Sequence, residues 1–249
     1  MILFLLVLWI WKQWPDGKLH VVFCDVGQGD AAVIVWGPFQ ALVDTGADKN
    51  KILKCLGEQM PFWDKQIEVI FISHVDNDHA GALPEIKKRY RIDRIVNNPQ
   101  VNDALHYGLL SFDIVKGSEP VESLVTVSSE TNAKSVIVRV VYKDFSVLFT
   151  GDTDLNTELA LVDSGVLKKT NVLKVSHHGS KYGSGKEFLA AVSPGLAVVS
   201  VGEKNTYGHP ASDTLIRLDV VEAKVLRTDK MGTVSLVSDG KELKVFTQK

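Results

Sequence analysis

The chain has 249 residues, enough for one large domain or two small ones. Apolar residues make up 45% and charged residues 23%, a globular balance that excludes extended disorder. The net charge of −2 excludes the global basic field of many nucleic-acid binders, so such contacts must be local or made through metal ions.

Residues 1–11 form an unbroken apolar run, followed by Lys12, Gln13, Trp14, Pro15 and Asp16. A bilayer takes about 20 apolar residues to cross, so this run is too short to span alone. It lacks the basic start and small-residue cleavage site of a secretory signal. Trp9, Trp11 and Trp14 beside Lys12 have the character of an interfacial aromatic belt. Residues 1–16 are therefore set apart from a domain over 17–249. They read as the stub of a membrane helix, a weak anchor or an uncleaved export signal, with a buried first strand as the plain alternative.

After Pro15-Asp16-Gly17 the chain becomes short β-prone runs separated by turns and a few helices. Strands are predicted over 18–26, 31–36, 40–44 and 68–73, with a helix over 48–59 between the last two. A helix over 80–90 ends in Lys87-Lys88-Arg89. Residues 91–130 read as short strands and turns, and 135–141 with 145–149 as a hairpin. Further strands are predicted over 172–176, 197–201 and 224–227, and helices over 154–163, 186–192 and 213–221. Residues 233–246 read as a hairpin turned by Asp239-Gly240. With no repeat or linker, this pattern implies one α/β domain of two sheets with helices outside. Cys24 and Cys55 are too few for a disulfide framework. Cys24, inside Val21-Val22-Phe23-Cys24, reads as a small buried hydrophobe.

Gly27-x-Gly29-x-x-Ala32 has the spacing of a dinucleotide loop. That motif needs a helix to open at its glycines, and the β-prone run 31–36 follows instead, so no nucleotide cofactor is expected. The stretch His74-Val75-Asp76-Asn77-Asp78-His79 is more informative. Four metal-ligand side chains lie within six residues, between an apolar strand and a helix start. Imidazole with carboxylate suits Zn²⁺, Mn²⁺ or Fe²⁺. Two more apolar strands end in ligand residues, one at Thr150-Gly151-Asp152 and one at Ser176-His177-His178-Gly179-Ser180. Sites in open α/β sheets lie at the carboxyl ends of strands, so the three ends are consistent with one shared site. Asp152 on its own could equally cap the helix that follows. His209, in Asn205-Thr206-Tyr207-Gly208-His209-Pro210, also follows a strand, where substrate contact or proton donation is reasonable and a surface-turn role is the alternative. His20 and His106 have no such company and read as structural.

These residues resemble the metallo-β-lactamase superfamily over 18–247, and within it the C-terminal hydrolase domain of ComEC-type DNA-internalisation (competence) proteins. The resemblance is carried by the run 25–30, by Val43-Asp44-Thr45-Gly46, by 74–81, by 150–152, by 176–180 and by 205–210, in family order. It implies an αββα sandwich, two mixed β-sheets flanked by helices, with a dinuclear site at one edge, holding two divalent ions, Zn or Mn. His74 and Asp76 would bind the first, Asp78 and His79 the second, and Asp152 would bridge. His177 or His178 would complete the second position, and Asp44 would organise the ligands from behind. Asp76 stands where most of the superfamily has His, as in the ComEC-like branch. A further His usually lies before the bridging Asp, near 131–135, and this chain has none there.

The expected chemistry is phosphodiester hydrolysis, with DNA as the partner. Asp78 would orient the nucleophile. His209, or whichever of His177 and His178 is not a ligand, would protonate the leaving oxygen. Ser180, Lys181 and Asn205 are candidate substrate contacts, and Lys181, Lys186, Lys87, Lys88 and Arg89 could neutralise phosphates, although a solvated face is the plainer reading of those charges. Two other readings stay open: hydrolysis of a small phosphoester, lactone or thioester, or a non-catalytic DNA-binding module with a degraded metal site. Residues 1–14 together with the resemblance suggest placement at a membrane, with the catalytic domain on the outer face.

Overall fold

The computed structural model describes residues 16–97, 99–101, 103–117 and 135–249. The apolar run read as a membrane segment and the interval 131–134 lie outside them.

Among the described residues, two seven-stranded sheets face each other. The first has the order β14-β13-β1-β2-β3-β4-β5 and the second β12-β11-β10-β9-β8-β7-β6. In the first, β1 (Leu19–Phe23), β2 (Ala32–Trp36) and β3 (Phe39–Val43) form an antiparallel meander. There β4 (Gln66–Phe71) and β5 (Arg91–Val96) add in parallel, and β13 (Val234–Ser238) with β14 (Leu243–Thr247) close the other edge. In the second, β6 (Ala104–Tyr107), β7 (Leu110–Lys116), β8 (Ile137–Tyr142) and β9 (Phe145–Phe149) are antiparallel. The remaining strands, β10 (Val172–Lys174), β11 (Leu196–Val199) and β12 (Lys224–Arg227), run parallel beside β9.

Strand alternation sorts the side chains. Val21 and Phe23 of β1 enter the core between the sheets, with Phe71, Phe112, Val147 and Phe149. Val22 and Cys24 point to the outer face, where α1 (Lys49–Gln59) packs through Ile52, Cys55 and Leu56. The second sheet is covered in the same way by α4 (Leu155–Asp163), α5 (Lys186–Val192) and α6 (Ser212–Val220), through Leu161, Phe188, Leu189 and Leu218. The layers are helix, sheet, sheet, helix, as the sequence implied.

Two expectations are corrected. Cys24 is not a free buried hydrophobe: it is joined to Cys55 in a disulfide that ties the end of β1 to α1. The two lie far apart in sequence but on facing sides of one helix–sheet contact, which spacing alone does not reveal. The helix expected over 80–90 is split into α2 (Asn77–Ala80) and α3 (Leu83–Arg89). Pro84 has no N–H to give to residue 80, so it suits a new first turn and not a helix interior. The break turns the Ala82 N–H to the Gly46 carbonyl instead.

Candidate metal centre

The centre lies where the carboxyl ends of β3, β4, β9 and β10 meet. Asp44 ends β3 in the left-handed region, φ 59°, and its carboxylate is buried. One oxygen accepts the Ser73 N–H (2.7 Å); the other accepts the Ser73 hydroxyl (2.7 Å) and lies 2.9 Å from His79 Nδ1. A carboxylate at Nδ1 fixes the proton there and leaves Nε2 free to bind metal. Asp44 therefore holds His79 through Nδ1 and the adjoining Ser73.

His79, on α2, sends Nε2 to within 3.2 Å of Asp152 Oδ1. His178 does the same from the other sheet. Its Nδ1 lies 2.9 Å from the Ser200 carbonyl, and its Nε2 lies 3.3 Å from Asp78 Oδ2 and 3.6 Å from Asp152 Oδ1. Ligand atoms of Asp78, His79, Asp152 and His178 all fall within 4.8 Å of one another. His74 points its buried Nε2 to Asp76, 3.5 Å away, and its ring centroid is 4.0 Å from that of His79. His177 is half-buried at the mouth, with Nε2 3.6 Å from Asp152 Oδ2.

Nε2 of His74, His79 and His178 and Oδ1 of Asp152 are buried without a hydrogen-bond partner. A buried polar atom left unpaired costs about 1–3 kcal/mol, so these atoms are expensive unless a ligand satisfies them. Neutral imidazoles and carboxylates are the donor set a divalent cation needs, and these residues fit one. The protonation states carry the same message. Burial opposes charge on His79 and His178, yet the carboxylates overcome it: Asp152 and Asp44 hold His79 well above its usual range, and Asp152 and Asp30 push His178 up to about 9. Burial likewise opposes a charged Asp152, but His178 and His79 hold it well below the carboxylate range. The carboxylates gather positive charge at this point, and a metal ion is the alternative to protons.

Two supporting residues escaped the sequence reading. Asp30, from the Gly27–Asp30 turn, is buried behind the site with oxygens 3.3 Å from His178 Nδ1 and 3.7 Å from His79 Nδ1. Lys174, buried at the end of β10, makes an ion pair with it and donates to the Gly151 carbonyl (3.2 Å). A lysine inside the apolar run 172–175 was the available signal, because a buried charge has to be paired. Gly29 in the same turn is required: a Cβ there would stand 2.2 Å from the Asp78 carbonyl oxygen. A strand, not a helix, follows that turn.

The structure does not bring every candidate to the metal ligands. Asn205 spends its amide on its own loop, donating to the Gly202 and His209 carbonyls and accepting the His209 N–H, each at 3.0 Å. Ser180 is buried and its hydroxyl accepts the Tyr182 N–H (3.3 Å). Both spend polar atoms on their own loops. Lys181 is exposed, with its ammonium 5.0 Å from the Tyr182 ring centroid. Lys87, Lys88 and Arg89 are exposed on α3, and Lys88 is paired with Glu85. His209 stands beside His177, ring centroids 5.9 Å apart. Burial and then the His177 charge lower its pKa. Where a further His was sought before Asp152, Ser135 accepts the Asp152 N–H (3.3 Å).

Relatives are similar along most of the chain. ComE operon protein 3 of Bacillus subtilis is 28% identical over 88% of this chain and 33% of that protein. Competence protein ComA of Neisseria gonorrhoeae is 29% identical over 88% of this chain and 32% of that protein. The chain thus spans about a third of the length of the curated relatives it matches. Among solved structures, the metallo-β-lactamase fold protein YhfI of Bacillus subtilis superposes with a TM-score of 0.59, 11% identity, and coverage of 89% of this chain and all of that one. A putative metal-dependent hydrolase from Parabacteroides distasonis gives a TM-score of 0.55, 13% identity, and coverage of 86% and 94%. The family model described as the metallo-beta-lactamase superfamily matches residues 24–203, which hold all the ligand residues above, and the chain belongs to that superfamily.

Proposed function

We propose that the chain is a two-metal phosphodiesterase that cleaves DNA in a DNA-uptake setting. The observation that carries this reading is the cluster of buried, unpartnered ligand atoms on His79, His178 and Asp152, with the unpartnered Nε2 of His74 on the ring beside His79. Asp78, His79, Asp152 and His178 would hold one divalent ion, Zn²⁺ or Mn²⁺, and His74 and Asp76 would help hold a second. Such ions supply Lewis-acid activation of a phosphoryl group and of water. Asp78 orients the attacking group, Asp30 and Asp44 keep the imidazoles in the right tautomer, and His209 delivers a proton to the leaving oxygen. Exposed Lys181 and Lys186 meet flanking phosphates. The competence relatives favour DNA over a small ester.

The test is cleavage of single- and double-stranded DNA with Mn²⁺, Zn²⁺ or Mg²⁺. Activity is expected with one of these metals and is lost in Asp152→Ala. Absence of cleavage with all three, or full activity in the variant, would falsify the reading, and turnover of a small ester with DNA inert would replace it.

We further propose that the domain works on the outer side of a membrane. The Cys24–Cys55 disulfide supports this, because such bonds persist in oxidising compartments. Among the described residues no helix is long and apolar enough to cross a membrane. Protease added to intact cells should digest the domain; protection until lysis would refute the placement.

A further inference from the structure

Six rings run in sequence from the buried ligands to solvent. His74 lies 4.0 Å from His79 between centroids, His79 5.3 Å from His178, His178 6.2 Å from His177, His177 5.9 Å from His209, and His209 5.9 Å from Tyr207. The last pair is near-parallel, at 17°. Tyr207 is 70% exposed, so one face rests against His209 and the other is open.

Its loop is held firmly. The Asn205 amide closes the loop across Gly202 and His209, and the Ala211 N–H donates to the Gly179 carbonyl (2.8 Å), locking it to the turn that bears His177 and His178. A second exposed aromatic, Tyr182, carries Lys181 over its ring on the neighbouring loop. That loop is pinned by Arg217, which donates to the Ser184 (2.9 Å), Gly183 (2.9 Å) and Lys181 (3.2 Å) carbonyls. Loops fixed in advance cost little ordering entropy when a ligand binds them.

The exposed ring favours a ligand with a free base face. Duplex recognition draws its affinity mainly from Lys and Arg on phosphates. This chain has a net charge of −2 and three aspartates, Asp76, Asp78 and Asp152, at the site. Aromatic stacking adds affinity only for bases freed from a duplex stack, and exposed Lys181 is available to the backbone beside Tyr182.

We propose that Tyr207 is a base-stacking platform, receiving an unpaired base beside the scissile phosphate, so that single-stranded DNA is the substrate. This rests on the phosphodiesterase reading. The test compares a 12-nucleotide thymidine strand, the same strand annealed to its complement, and a 12-unit abasic strand with an identical backbone, all with Mn²⁺. The single strand should be cleaved in preference to the duplex. Its KM should lie about 5- to 150-fold below that of the abasic strand, the range for one stacked base. Tyr207→Ala should erase this ratio and Tyr207→Phe should keep it. Equal KM for thymidine and abasic strands, an unchanged ratio in Tyr207→Ala, or duplex preference overturns the platform. If no strand is cleaved, the phosphodiesterase reading falls, and fluorescence anisotropy in the same buffer decides separately: equal binding of the thymidine and abasic strands overturns the platform too.

Discussion

His177 and His178 both occupy the left-handed region, at φ 49° and 53°, where side-chain-bearing residues pay a steric penalty. That backbone aims the two adjacent rings differently: His178 is buried with Nε2 on Asp78 and Asp152, and His177 lies at the mouth. From the sequence the two were equivalent, because nothing in Ser-His-His-Gly states the turn's handedness. The candidate ligands in 74–79 stood out for the opposite reason: one strand-to-helix loop carries them, so contiguity in sequence is proximity in space. At this scale the sharpest prediction concerns Asp44. Asp44→Asn can no longer accept from the Ser73 N–H, the Ser73 hydroxyl and His79 Nδ1 together. Metal affinity should fall about 10- to 100-fold, the usual effect of losing a group that orients a ligand, as read by calorimetric titration. An unchanged affinity would remove Asp44 from its positioning role.

Among the elements, the 3.6- and 2-residue periodicities located most strands and helices, because each buries one face. What they did not give were the ties between elements. The disulfide closes a loop over a sequence separation of 31. Loop-closure entropy for such a length is worth about 3–4 kcal/mol, so reduction should lower the urea-unfolding free energy by about that amount. Cys55→Ser should show the same loss without reductant. Glu158 of α4 is another tie. Buried, it accepts the Ser176 hydroxyl (2.7 Å) and the Ser184 (2.8 Å) and Gly185 (2.7 Å) N–H groups, fixing the loop after the histidines. Burial raises its pKa from 4.5 to about 7 against these hydrogen bonds. The folded state then binds the proton more tightly than the unfolded chain between those values. Its contribution to stability is fully present below about 4.5 and is lost as pH rises through about 7. Glu158→Gln should flatten that part of the pH–stability curve measured by urea unfolding, and a retained slope would assign it to another group.

For the whole molecule, a centre shared by two sheets should couple metal binding to folding. An ion at 100 times its dissociation constant adds about 2.7 kcal/mol, which for a chain of this size raises Tm by about 5–10 °C. The position around Asp78, His79, Asp152 and His178 has four donors within reach, and the His74–Asp76 half has Ser135 where a further His was sought. Titration followed by thermal melting should show two unequal affinities, and two equal ones would contradict the asymmetry.

The sequence by itself determined an α/β domain of two sheets with helices outside and three strand ends rich in candidate ligands, because burial periodicity and local ligand density are properties of short segments. Only the tertiary structure decided that Cys24 meets Cys55, that Lys174 neutralises Asp30 behind the histidines, that His178 rather than His177 joins the buried cluster, and that Asn205 serves its loop. The first two depend on which distant side chains share a low-dielectric space and the last two on how a turn or loop folds back on itself, and chain order states neither.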